Sequence, residues 1–357
     1  MYSVPYFPRR GKTLDFLLRR EDNNPVEKTS VRSSQDRKEK DSVNQKKGYL
    51  CIAITTLLFS TMELALKMTA GNFHPVQQTF SRFLVGGLML LPLAIREWKR
   101  RELQMTWKRL RKMALLGLIG ICISMTMYQM AVLHTKASVV AVLFSSNPLF
   151  VTLFAGWLLG EAVHLRSIVA IALDLAGIFI IVEPWNTHLS PLGVLLTLGS
   201  TLLFALYGVL GRGESSTCGG VVTTCASFLF GSTEMMAIAA WTHISPVATW
   251  LEGHHLEVFS RIPFVSGYTV ETLLPFLYIA VFATGMGYLC WFLSMEYLDA
   301  QTASLAFFFK PALATALAVL ILHETVPWNM GIGICLVLLG SAISLLGKRR
   351  ASSRDQG

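Results

Sequence analysis

The sequence predicts an all-α membrane protein, with ten transmembrane helices arranged as two inverted five-helix repeats. Three observations predict it: the composition, the length of the apolar runs and an internal duplication. Hydrophobic residues make up 53% of the chain and charged residues 15%, the latter well below the roughly 25% of soluble domains. Nearly all the charge lies in the N-terminal tail and in short connectors. The remaining apolar stretches are about 20 residues long, enough for a helix rising 1.5 Å per residue to cross ~30 Å of hydrocarbon. Transmembrane strands would alternate apolar and polar residues over ~10 positions, whereas these runs are apolar on every side.

The stretches follow one another in order. The first, 49–70, carries Glu63 and Lys67; the second, 76–96, carries Arg82; the third, 112–133, carries Tyr128. The fourth, 137–159, opens on Ala137-Ser138 and holds Asn147-Pro148, and the fifth, 165–183, contains Asp174. The sixth, 190–211, includes Tyr207, the seventh, 221–242, includes Glu234, and the eighth, 273–295, includes Tyr288 and Trp291. The ninth, 300–322, has Lys310-Pro311 at its middle, and the tenth, 328–347, ends the apolar part of the chain.

Sliding residues 112–182 forward by 163 positions superimposes Ala137 on Ala300, Phe144 on Phe307, Pro148 on Pro311, Thr152 on Thr315, Glu161 on Glu324 and Gly177 on Gly340, without a gap. A second offset, 145, pairs Thr56-Leu57-Leu58-Phe59 with Thr201-Leu202-Leu203-Phe204, Phe83-Leu84 with Phe228-Leu229 and Gly86 with Gly231. The difference of 18 residues fits inside the 243–272 connector. The expected organisation is a disordered basic tail, 1–48, two homologous halves, 49–183 and 190–347, and a short tail, 348–357. With five crossings each, the halves face opposite ways, as in many secondary transporters.

Charge sets the orientation. The connector Arg96–Lys112 holds eight Lys or Arg, the tail ends in Lys46-Lys47, and Lys348, Arg349 and Arg350 follow the last stretch. With ten crossings all three regions share one side, expected to be the cytoplasm of a plasma-membrane protein. The net charge of +9 therefore points to anionic headgroups and not to nucleic acid. The run Leu14–Leu18 is too short for a signal-peptide core. The six cysteines form no CxxC pair and read as small apolar residues.

Lys310 is the leading functional candidate. An ammonium at mid-helix costs at least ~2.5–3.5 kcal/mol on insertion scales, so it should face water, a counter-ion or an anionic ligand. The alternative is a lysine tied to an internal carboxylate for packing alone. Pro148 and Pro311 each lack an N–H and clash with the carbonyl four residues earlier, and a helix break at membrane depth is tolerated only beside protein or a wet cavity. Two such breaks at corresponding positions mark a central site, or merely shape packing. Asn147 is the repeat mate of Lys310. Glu63 and Lys67, four residues apart, can pair on one face; Lys67 and Arg212, near helix ends, suit snorkelling. Glu63 and Glu234 are placed to balance Lys310 or carry a proton. Tyr128, its mate Trp291, Tyr207 and Tyr288 are placed to line a cavity, or are ordinary core aromatics. Gly156 and Gly160 form a GxxxG that permits close helix contact.

Enzyme motifs fail. His323-Glu324 lacks the second His of a zinc-protease helix because position 327 is Pro, His254-His255 lacks metal-site company, and there is no GxxxxGK[ST] phosphate loop. No cofactor is expected, and pumping must draw on a gradient.

The ensemble of Ala137-Ser138, Asn147-Pro148, Gly160-Glu161 and their counterparts Ala300, Lys310-Pro311, His323-Glu324, followed by Gly177 and Gly340, resembles the ten-helix EamA-like branch of the drug/metabolite transporter superfamily. The resemblance covers roughly 49–347. It implies helices 1–4 and 6–9 around a central cavity, helices 5 and 10 peripheral, and alternating access without ATP, commonly moving amino acids, other metabolites or drugs outward. Related triose-phosphate translocators use basic residues in the ninth helix for anionic substrates, and Lys310 resembles that usage. The expected partners are a small-molecule substrate, a proton or counter-substrate, the bilayer and a second copy of the chain. The rival readings are an importer or exchanger of anionic or phosphorylated metabolites, a channel, and a membrane-embedded enzyme.

Overall fold

The computed structural model describes residues 25–160, 165–182, 190–298, 300–307 and 310–354. Each apolar stretch of the sequence is helical where it is described, and the described residues contain no strand beyond one isolated bridge, Ala70–Phe73. The first helix, α1, is Pro25–Ser60. Residues 25–47 are thus helical where the sequence suggested disorder; residues 1–24 lie outside the described residues. Met1–Lys47 separates from Gly48–Gly357 as a unit of its own, and the larger unit carries the helical bundle.

The first half continues with α2 (Met62–Met68), α3 (Pro75–Arg100), α4 (Trp107–Leu116) and a π-helical segment, Gly117–Ser124, that runs into α5 (Met125–His134). It ends with α6 (Ala137–Phe144), α7 (Asn147–Leu159) and α8 (Leu165–Val182). The second half comprises α9 (Pro191–Cys218), α10 (Gly220–Trp241), the short loop helix α11 (Ser245–Gly253), α12 (Val270–Leu277) and a second π segment, Tyr278–Met286, leading into α13 (Gly287–Tyr297). It closes with α14 (Ala300–Ala303), a 3₁₀ turn at Ser304–Phe307, α15 (Lys310–Leu322) and α16 (Trp328–Arg354). Starts are set by local chemistry. Proline occupies the first turn of α3, α7, α9 and α11, where its missing N–H costs nothing. Ser190 accepts the Gly193 N–H, and Thr269 and Thr272 cap α12 reciprocally. At the end of α7, Gly160 takes a left-handed conformation (φ +67°) with open space around it. It is a helix stop, not the close helix contact expected of a GxxxG.

Among the described residues, seven segments are long and apolar enough to cross a membrane by length and composition: Val43–Met68, Pro75–Arg100, Trp107–His134, Ala137–Leu158, Pro191–Cys218, Gly220–Trp241 and Val270–Tyr297. Lys310–Leu322 and Trp328–Gly340 are shorter apolar helices. The outer surface is apolar, with Leu195, Leu274 and Leu320 exposed, as hydrocarbon requires.

The duplication is visible in space. Mates pack on each other: α3 lies along α10 and α8 along α16. Phe83 and its mate Phe228 meet edge to face at 4.8 Å. The Ser200 hydroxyl donates to the Ser124 carbonyl, and the mates of those residues repeat the bond, Thr55 donating to the Gly287 carbonyl at 3.2 Å. In each case one partner comes from each half.

Candidate functional site

Buried hydroxyls across this fold mostly satisfy themselves. Thr197, Thr201, Thr224 and Ser60 each donate to the carbonyl four residues earlier, the economical solution in an apolar surrounding. Against that background a set of buried polar atoms at the centre stands out, because no protein partner meets their hydrogen-bonding capacity. They include Glu63 Oε2, Tyr128 Oη, Asn147 Oδ1, Trp291 Nε1, Gln129 Oε1, Thr315 Oγ1, and Nε and Nη2 of Arg82. Buried polar atoms without partners are rare and carry a penalty of about 1–3 kcal/mol each.

Helix interruptions in each half place these groups. In the first half α6 stops at Phe144, Ser145 and Ser146 turn the chain while their hydroxyls bond the Ala141 and Leu143 carbonyls, and α7 restarts at Asn147-Pro148. In the second half α14 gives way to a 3₁₀ turn at Ser304–Phe307, and α15 is described from Lys310-Pro311 onward. Pro148 stands in the first turn of a new helix, where no upstream carbonyl opposes it. The break predicted at Pro148 is present; the two residues before Lys310 lie outside the described residues. Asn147 and Lys310 are both fully buried.

Lys310 Nζ lies 2.5 Å from Glu63 Oε1, both side chains being at most 1% exposed. The two atoms are in ion-pair contact, but neither meets hydrogen-bond geometry. Lys310 is thus tied to an internal carboxylate, the alternative the sequence left open, and the pair spans the two halves. Three rings surround the ammonium, with centroids at 4.6 Å for Phe144 and 5.8 Å for Tyr128 and Phe307; a desolvated cation gains from such π faces. The expected Glu63–Lys67 pair does not form: Lys67 Nζ donates to the Val132 and Thr135 carbonyls at 2.9 and 3.0 Å.

Trp291 is buried and stacks on Phe204 at 4.6 Å. The mates Phe144 and Phe307 face each other at 5.9 Å, and Phe59, the mate of Phe204, packs on Phe307 at 5.8 Å. Tyr128 meets Phe144 edge to face. Tyr207 packs on the far side of this cluster, against Phe204 and Phe292, with its hydroxyl 2.8 Å from Ser227 Oγ. Tyr288 donates to Met125 Sδ. Asn147 donates to the Thr201 carbonyl at 3.4 Å. Glu234 is half-buried on α10 with one carboxylate oxygen unpartnered, and no described ion pair or hydrogen bond joins it to Lys310. The Asp174 side chain lies outside the described residues.

The centre contains groups that hydropathy did not single out. Arg82 on α3 is fully buried, and Gln129 donates to Gln78, which donates to Thr69. Both π segments flank the site at equivalent positions of the halves, and such departures from α geometry concentrate at functional sites. The only sequence signal for Arg82 is its depth in an apolar run; hydropathy carries none for the π turns.

Two clasps close the ends. Glu324 accepts the Ala137 N–H at 3.0 Å and the Ser138 N–H at 3.2 Å, capping a first-half helix from the second half. At the other end Arg101 bonds both Glu97 and Glu296, and Glu296 also accepts the Gly220 N–H at 2.7 Å.

The chain is similar to known proteins. A protein of Clostridium kluyveri described as an uncharacterized transporter is 35% identical over 86% of this chain and 96% of its own length. A probable amino-acid metabolite efflux pump of Escherichia coli K12 is 21% identical over 60% of this chain and 69% of its own. A solved crystal structure superimposes with a TM-score of 0.60 at 19% identity, over 87% of this chain and 99% of that one, a likeness of fold alone. The family match itself covers both halves, residues 46–183 and 191–346, and this multi-pass membrane protein belongs to the EamA-like transporter family.

Proposed function

We propose that the chain is a secondary carrier that exports a small organic metabolite across the plasma membrane by alternating access between two inverted repeats. The observation that carries this reading is the Lys310–Glu63 pair, buried between the halves. A buried ion pair seldom adds net stability against apolar residues of the same volume. Its presence at membrane depth, among polar atoms with unmet bonds, favours a binding role over a packing role.

Ten crossings, five in each half, put both termini in the cytoplasm and invert the halves; the interchanged Thr55–Gly287 and Ser200–Ser124 bonds support a two-fold relation between them. In that orientation the Glu324 clasp holds the external end and the Arg101–Glu296 clasp the cytoplasmic end. With both engaged, the geometry is that of an occluded carrier. Substrate binds at the midplane, its polar group reached by Lys310 and Asn147 and its apolar body held by Tyr128 and Trp291, with Tyr207 behind them. Rocking of one half against the other releases one clasp at a time. Export is favoured over import by the efflux function in the name of the E. coli relative.

Counterflow in proteoliposomes tests the reading. A carrier gives saturable, trans-stimulated exchange with at least one member of a broad metabolite panel, and Lys310→Met abolishes it while expression and monodispersity persist. Conductance without saturation in planar bilayers, or full exchange by Lys310→Met, refutes it.

A further inference from the structure

The buried centre holds two cations and one described carboxylate. Lys310 occupies that carboxylate, Glu63, at 2.5 Å. Arg82 has no such partner among the described residues. Its side chain is fully buried, Nη1 donates to Met62 Sδ at 3.4 Å, and Nε and Nη2 meet no acceptor. The guanidinium carbon stands 4.7 Å over the Phe83 ring. The guanidinium lies within electrostatic reach of Tyr288, Tyr128 and Glu63, which places it at the same polar centre. Glu63 is the described acidic side chain within electrostatic reach of Arg82, yet no ion pair forms between them. With Lys310, Arg82 and Glu63 ionised, the centre carries one uncompensated positive charge.

A guanidinium buried at membrane depth without an anion is expensive, and its retention marks a ligand path or site. Nε and Nη2 form the edge that matches a carboxylate with two parallel charge-assisted bonds. Methionine sulfur and a π face compensate a guanidinium weakly, so packing does not account for that free edge. We propose that Arg82 binds the substrate's anionic group through Nε and Nη2, and that the carrier selects small monocarboxylates. A single negative charge neutralises the centre, whereas a cation meets repulsion. The rest of the ligand then faces the unpartnered Tyr128 hydroxyl and Trp291 indole N–H. The inference rests on the carrier reading and adds the charge class and the residue that reads it.

The test uses the full chain in proteoliposomes with a panel of aliphatic and aromatic monocarboxylates, each alongside its neutral amide, plus zwitterionic amino acids and organic cations. Expected are saturable exchange of monocarboxylates and failure of the matching amides to compete at 100-fold excess. Arg82→Gln should raise the half-saturating carboxylate concentration about 100-fold, and Arg82→Lys, which keeps the charge but not the fork, about 10-fold. If Arg82→Gln does not fold, the Arg82→Lys shift and the wild-type preference decide the matter. Equal handling of acid and amide, a preference for zwitterions or cations, or unchanged half-saturation in a folded Arg82 variant overturns the proposal and leaves the carrier reading standing. Exchange of no solute at all overturns both.

Discussion

Removing one member of the Lys310–Glu63 pair should cost far more than removing both. The side chains are 0% and 1% exposed, so Glu63→Met strands a buried ammonium and Lys310→Met a buried carboxylate. Breaking a pair of this burial costs about 3–5 kcal/mol, while replacing both charges with apolar side chains of similar volume is about neutral or stabilising. The double variant Glu63→Met/Lys310→Met should therefore recover most of the loss, giving a coupling energy of about 3 kcal/mol or more. At roughly 2–4 °C per kcal/mol, each single variant should melt roughly 6–20 °C below the parent. Melting is followed by tryptophan fluorescence of the detergent-purified protein, with counterflow on the same preparations. All three variants should be transport-dead, which separates the pair's role in stability from its role in function. Additive losses in the double variant, or a single variant with parental melting and transport, would refute the pairing argument.

Gly208→Ala should weaken the aromatic wall: the new methyl would meet the Trp291 ring at 2.8 Å, an overpacking cost of about 1–3 kcal/mol in melting, with exchange slowed as Trp291 shifts off Phe204. Glu324→Gln keeps the shape of the external clasp but loses its charge against the α6 N-terminus, worth about 1 kcal/mol; amide exchange at Ala137 and Ser138 should quicken while the rest of the fold is unmoved. His74 precedes α3, with Nε2 2.8 Å from the Val258 carbonyl. Burial lowers its affinity for a proton, against the opposing effect of that bond. A depressed folded value means that stability is full above the unfolded value near 6.5 and is lost as pH falls through the lower folded one. Melting should fall as the buffer is taken from pH 7 to 5, and the slope should flatten in His74→Gln; equal slopes would remove His74 from the account.

Much of the fold was legible because membrane helices declare themselves locally: 20 apolar residues imply a helix whatever surrounds them. The duplication was legible because proline, glycine and glutamate recur in register, and the stop before Asn147 follows from Pro148. The site was legible only in part. Lys310 announces itself by depth, but the sequence offers it several carboxylates and offers Glu63 to Lys67 as well. Depth alone does not tell a snorkelling arginine from a centrally buried one, so the sequence does not single out Arg82. Glu234 looked equivalent to Glu63 in hydropathy and stands on a different face.

The sequence by itself determined the helical segments, their duplication, the helix stop before Asn147-Pro148 and the presence of charge where charge is costly, because each depends on residues adjacent in the chain or on a repeat of the chain. The tertiary structure alone decided that Glu63 meets Lys310 across the halves, that Arg82 keeps a free edge beside them and that Glu324 caps a helix 187 residues away. Those contacts join residues far apart in the chain, one from each half or from separate helices. Hydrophobic pattern fixes which residues leave water, whereas the pairing of buried charges is fixed only when the helices pack.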